Sequence, residues 1–130
     1  MKIKRFEELV CWKASRSLVK MIYNIVKKSE KFNKDFRLVG QATSSAVSVM
    51  SNIAQGFSRH SNKEFIQFLF ISKASLAELQ SILYVALDLE YISHETFQAI
   101  YNQTETVVKL ESRLISYLLS TKTKRTKQTQ

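Results

Sequence analysis

A chain of 130 residues with no proline and only two glycines, Gly40 and Gly56, has few places to turn. β-rich folds need frequent tight turns, and proline and glycine supply much of the backbone geometry those turns require. Long helices with few interruptions need neither. The length suits one domain with its own core. An apolar fraction of 45% argues against a chain too polar to collapse.

Hydrophobic periodicity predicts four helices, over about 6–29, 36–58, 62–89 and 94–119, as one bundle spanning 1–119. The first is amphipathic. Projected at about 100° per residue, Cys11, Leu18, Val19, Ile22, Ile25 and Val26 share one face, opposite Lys13, Arg16, Lys20, Asn24, Lys27 and Lys31. Asn33 or Asp35 can cap the second helix, where Val39, Ala42, Ala46, Val49, Ile53 and Phe57 recur at steps of three and four. Its other faces carry Gly40, Thr43, Ser44, Ser45, Ser48 and Ser51. Such small residues admit a close neighbour, and the hydroxyls can bond back to carbonyls of the preceding turn. Gly56 reads as a C-terminal signal.

Ser61-Asn62-Lys63-Glu64 is a capping-box pattern opening the third helix. Its main stripe is Phe65, Phe68, Leu69, Leu76, Leu79, Leu83 and Leu87. A second stripe holds Ile66, Phe70, Ala74, Ala77, Tyr84 and Val85. A helix apolar around most of its circumference is buried on more than one side. The second stripe is therefore expected to be a subunit interface, unless this helix is simply the most enclosed of the four. Ser93 caps the fourth helix, whose apolar face runs from Phe97 to Leu118. Short connections favour an up-down-up-down antiparallel arrangement. Residues 120–130 contain no acid and read as a disordered basic tail.

The formal charge of +9 is unevenly spread. Residues 1–37 carry a net +7, residues 38–119 a net −2, and the tail +4. A concentrated positive field favours an anionic partner. Cations three and four apart on a helix can follow phosphates, although they carry no sequence code. The expected nucleic-acid contacts are Lys13, Arg16, Lys20, Lys27 and Lys31, joined by Arg59 and by the tail residues Lys122, Lys124, Arg125 and Lys127. If the chain assembles as a ring, each subunit repeats the patch. Membrane binding ranks lower, because the apolar face of the first helix is needed to close the bundle.

Catalytic patterns are missing. Two glycines cannot build a phosphate-cradling loop, no nucleophile elbow occurs, and His60 and His94 have no histidine or cysteine at metal-ligand spacing. Cys11 falls on an apolar face and reads as a small core residue. No enzyme activity, cofactor or metal is expected. A single cysteine and no apolar segment at the N-terminus suit the cytoplasm.

Five segments then stand in order: Phe6-Glu7-Glu8-Leu9-Val10-Cys11-Trp12-Lys13-Ala14; Ala46-Val47-Ser48-Val49-Met50-Ser51-Asn52-Ile53-Ala54-Gln55-Gly56-Phe57; Ser61-Asn62-Lys63-Glu64-Phe65-Ile66-Gln67-Phe68-Leu69; Ser75-Leu76-Ala77-Glu78-Leu79; and Ala86-Leu87-Asp88-Leu89-Glu90-Tyr91-Ile92. Together they resemble the four-helix-bundle family encoded in 23S rRNA intervening sequences. That family is similar in fold to the accessory variability proteins of diversity-generating retroelements. The resemblance covers roughly residues 6–119. It implies a homopentameric ring and no catalytic residue. For the retroelement branch it implies binding to RNA or DNA and to a reverse transcriptase. The family usually has proline where Met50 stands, glutamate at Gln55 and often glycine at Glu90. A kink at Met50 is expected to weaken or vanish. A retained left-handed turn at Glu90 would cost on the order of 1 kcal/mol.

Overall fold

The computed structural model describes residues 2–121, so Lys122, Lys124, Arg125, Lys127 and the expected tail lie outside the described residues. A 3-10 turn (Phe6–Glu8) leads into α1 (Val10–Lys28), then α2 (Glu30–Lys34), α3 (Phe36–Phe57), α4 (Asn62–Asp88) and α5 (His94–Ser120). No strand occurs among the described residues. The four long helices pack in a cycle: α1 touches α3 and α5, and α4 touches α3 and α5. This leaves α1 and α4 across the diagonal.

Pairs between neighbours show the antiparallel register. Ser45 Oγ donates to Glu78 Oε1, the Ser48 and Ser75 hydroxyls meet at 2.9 Å, and Ser72 Oγ donates to the Val49 carbonyl. Positions rise along α3 as they fall along α4. The α4–α5 pair behaves alike: Gln80 bonds Thr104, Lys73 bonds Ser112, and Asn62 Nδ2 bonds the Leu118 carbonyl. Gln103 ties α5 to the Ala14 carbonyl of α1. The core lies on the axis, where Leu18, Ile22, Val49, Ile53, Phe65, Leu69, Leu76, Leu83, Val107 and Leu118 are fully enclosed.

Side-chain caps set most of the boundaries. Ser29, Asp35, Ser61 and Ser93 each accept a backbone N–H three residues on. Each satisfies one of the donors a helix start leaves open. Asp35 does double duty, since its other carboxylate oxygen accepts the Tyr91 hydroxyl at 2.9 Å. That bond joins the start of α3 to the α4–α5 connection.

Four expectations change. The first helix ends where expected, at Lys28 with Ser29 as its cap, but it starts later, because its opening turn is 3-10, and a short α2 capped by Ser29 follows it. Lys31 therefore belongs to α2 rather than to the long cationic face. Gly56 is not a left-handed stop, because α3 continues through it to Phe57 and no glycine has positive φ. Its role is close approach: a Cβ there would lie 2.7 Å from Phe68 Cβ and 2.9 Å from Phe65 Cδ1. The hydroxyls of α3 do not all fold back on their own helix. Thr43 does, onto the Val39 carbonyl, but Ser45 and Ser48 reach across to α4. Through Met50, α3 is one helix without interruption.

The turn expected at Glu90 is kept. Glu90 has φ 59, Tyr91 N–H bonds the Ala86 carbonyl and Glu90 N–H bonds the Leu87 carbonyl. These are the two bonds of a Schellman ending, with a glutamate where glycine is favoured.

Candidate functional site

α1 contains no acid, and its outward face is a row of cations. Lys13, Arg16, Lys20 and Lys27 are all exposed. Elsewhere acids and bases pair, Arg5 with Glu7 at 2.7 Å and Lys34 with Glu30 at 3.0 Å. Among the described residues the four α1 cations have no acidic partner. The Arg16 guanidinium lies 5.8 Å from the Trp12 ring centroid, and Trp12 meets Phe6 edge-on at 5.2 Å. That contact orients the Arg16 head without neutralising it.

The remaining expected contacts are more scattered. Lys31 is exposed on α2, beyond the C-terminal end of α1. Arg59 sits in the α3–α4 connection, its guanidinium 4.6 Å from the Phe68 ring. Antiparallel packing puts that connection at the end of the bundle where α1 begins, opposite Lys31. The structure thus brings Lys13, Arg16, Lys20 and Lys27 onto one face and sets Lys31 and Arg59 at its two ends.

Sequence reasoning missed one member of this surface. Tyr23 lies between Lys20 and Lys27 and is 45% exposed. It borders an open cleft of about 410 Å³ shared with Thr43, Ser44, Val47, Ser48 and Ser51 of α3. An aromatic ring at a helical position reserved for charge was the available signal.

Across the diagonal, the outer face of α4 is apolar. Phe70 (54%), Tyr84 (50%) and Val85 are exposed, as are Ala74 and Ala77, while Ile66 is half-buried. Ile71, absent from the expected stripe, is 49% exposed beside them. Tyr84 is partly engaged within the chain, its ring tilted against Phe97 at 4.8 Å and edge-on to Tyr101 at 5.9 Å. Lys73 bridges the edge of the stripe, its ammonium bonded to Ser112 and 5.7 Å from the Phe70 ring. By length and composition α4 is long and apolar enough to cross a membrane. In the fold its inner face forms the bundle core.

Among the described residues, two ionisable groups are buried inside the bundle. Glu111 is fully enclosed, and neither carboxyl oxygen has a hydrogen-bond partner. Burial pushes its pKa up to about 8, against weaker opposing effects from Ser72 and Lys73. Cys11 lies nearby, and burial together with Glu111 pushes its thiol up to about 12. A thiol so hard to ionise is a poor nucleophile. Among the described residues no group of three or more His, Cys, Asp or Glu side chains could hold a metal.

Comparison with known proteins fits this architecture. No curated protein sequence matches the chain. Among solved structures it is similar to a crystal structure of a protein of unknown function from the S23 ribosomal protein family of Bacteroides thetaiotaomicron VPI-5482. The two share 26% identity with a TM-score of 0.76, over 82% of this chain and 98% of the other. The 23S rRNA-intervening sequence protein profile matches residues 7–113, most of the bundle. The chain belongs to the 23S rRNA-intervening sequence protein family.

Proposed function

We propose that this chain is a non-enzymatic, self-assembling nucleic-acid-binding bundle of the 23S rRNA intervening-sequence type, acting in the cytoplasm. The observation that carries the reading is the α1 face, where Lys13, Arg16, Lys20 and Lys27 stand exposed without an acidic partner among the described residues. A face used only for solubility tolerates acids at i±3 and i±4, and such pairs add a little helix stability. Leaving every cation unpaired keeps the field available to phosphates. The apolar outer face of α4 supports self-assembly, and the family resemblance suggests five subunits.

The test is a titration of the purified protein with a structured rRNA fragment and a matched DNA duplex at low and moderate salt. Binding should be salt-sensitive and should fall at least tenfold when Lys13, Arg16, Lys20 and Lys27 all become Glu. The slope of log K against log salt should also shrink, by roughly 0.7–0.9 for each phosphate that is no longer neutralised. Preference for RNA would favour the rRNA-linked role. Folded, oligomeric protein that binds neither ligand would sink this reading. It would leave the scaffold role in front, as an accessory subunit docked on a reverse transcriptase.

A further inference from the structure

The row of cations on α1 is interrupted by one ring. Tyr23 stands three residues from Lys20 and four from Lys27, so the three side chains share one stretch of surface. Nearly half of Tyr23 is in solvent, and its hydroxyl has no partner among the described residues. A tyrosine recruited only to pack α1 against α3 would lie flatter into the groove. Its neighbours across that groove, Thr43, Ser44, Val47 and Ser51, are uncharged. Ser44 is exposed and its hydroxyl is uncommitted among the described residues. The cleft volume of about 410 Å³ lies within the roughly 300–1,000 Å³ range of small-molecule sites.

An exposed aromatic face with a lysine one turn to either side along α1, beside a neutral hydroxyl-bearing cleft, makes a specific combination. Lysines hold a phosphate backbone, and an aromatic ring takes a base, because every base has a face that stacks. A duplex keeps its bases stacked on each other and presents nothing to such a ring. We infer that Tyr23 and the α1–α3 cleft form a base-stacking subsite for single-stranded RNA. The Lys20 and Lys27 ammoniums hold the flanking phosphates, and Ser44 contacts the edge or the sugar hydroxyl of the stacked nucleotide. This rests on the nucleic-acid reading above and adds which form of the polymer the face selects.

The experiment is a fluorescence-anisotropy titration of the full-length protein with a labelled single-stranded RNA of about twelve nucleotides, sized to one or two such sites. The matching RNA duplex is run beside it at three salt concentrations. Wild type should prefer the single strand. Tyr23→Ala should weaken single-strand binding roughly tenfold while leaving the salt slope and the duplex affinity unchanged, because no charge is removed. Tyr23→Phe should bind like wild type. Salt-sensitive binding that Tyr23→Ala leaves intact, or weakens equally for both ligands, overturns the subsite alone. So does a Tyr23→Phe variant as weak as Tyr23→Ala. Failure of wild type to bind either ligand overturns the nucleic-acid reading and the subsite together.

Discussion

A carboxyl enclosed among three helices stays there most easily without its charge. The Ser72 hydroxyl and the Lys73 ammonium of α4 and the Cys11 thiol of α1 are the polar groups that act on Glu111. None of them hydrogen-bonds it. Its pKa of about 8 in the fold exceeds the ordinary value of 4.5. Below pH 4.5 both folded and unfolded chains hold the proton, and the site is at its least costly. Between pH 4.5 and 8 the unfolded chain releases the proton while the fold retains it, so stability falls as pH rises, by up to about 1.4 kcal/mol per pH unit. Above pH 8 the loss is complete. Glu111→Gln keeps the shape of the neutral acid and removes the titration. It should match wild type near pH 4.5 and exceed it by a few kcal/mol at pH 9, on the order of 3–5. Denaturant unfolding at pH 4.5, 7 and 9 checks this, and parallel profiles for the two proteins would refute it. The sequence did carry a signal for Glu111, which falls at steps of three and four with Ile100, Val107, Ile115 and Leu118 on the apolar face of α5, where an acid is out of place; an acid on an amphipathic helix is too readily read as solvated. Tyr23 escaped notice for the opposite reason: a ring on a polar face matches neither the core pattern nor the charge pattern.

Elements were more legible than residues, and for a definite reason. Apolar residues at steps of three and four along α3, α4 and α5 reflect burial, and burial is what fixes those helices. Their ends were legible where a short polar side chain does the capping, as Asp35, Ser61 and Ser93 do. The end of α1 near Ser29 was legible too, but the short α2 was not, since five residues leave little periodicity and the bond of Ser29 to Phe32 N–H becomes visible only in three dimensions. The end of α4 carries a testable cost. Glu90 holds φ 59, a region where a Cβ is crowded against the backbone. Glu90→Gly should relieve that strain and stabilise the protein by about 1 kcal/mol, with no change in oligomeric state. A thermal melt of both proteins measures it. A variant less stable than wild type would mean that the glutamate side chain does something the turn itself does not require.

At the scale of the whole molecule, the exposed part of α4 has too many large apolar side chains to be ordinary surface. Phe70 and Ile71, and three to four turns on Tyr84 and Val85, are exposed on the outer side of α4, and exposed apolar surface of this kind marks an interface. Replacing Phe70 and Val85 with Asp places charge on the patch without touching the core. Wild type should elute and scatter light as an oligomer, and the double variant should shift to monomer with its helical content preserved. An oligomer unchanged by these substitutions would move the interface elsewhere on the bundle. The stripe was partly legible in the sequence, where Phe70 and Tyr84 stood out of phase with the main core repeat. Sequence periodicity could not say how much of Tyr84 the Phe97 and Tyr101 rings would cover.

The diagonal placement of α1 and α4 has a consequence for how such a protein can change over generations. No residue has to serve both faces, because α3 and α5 stand between them. On the proposed reading, with the polyanion on α1 and the neighbouring copy on α4, a lineage can swap lysines and arginines along α1 to suit a new polyanion without disturbing the way its copies meet. It can equally retune the contact between copies and keep its ligand. In a bundle whose charged and apolar surfaces shared one helix, each adjustment would drag the other with it; here the two traits can be inherited and altered separately.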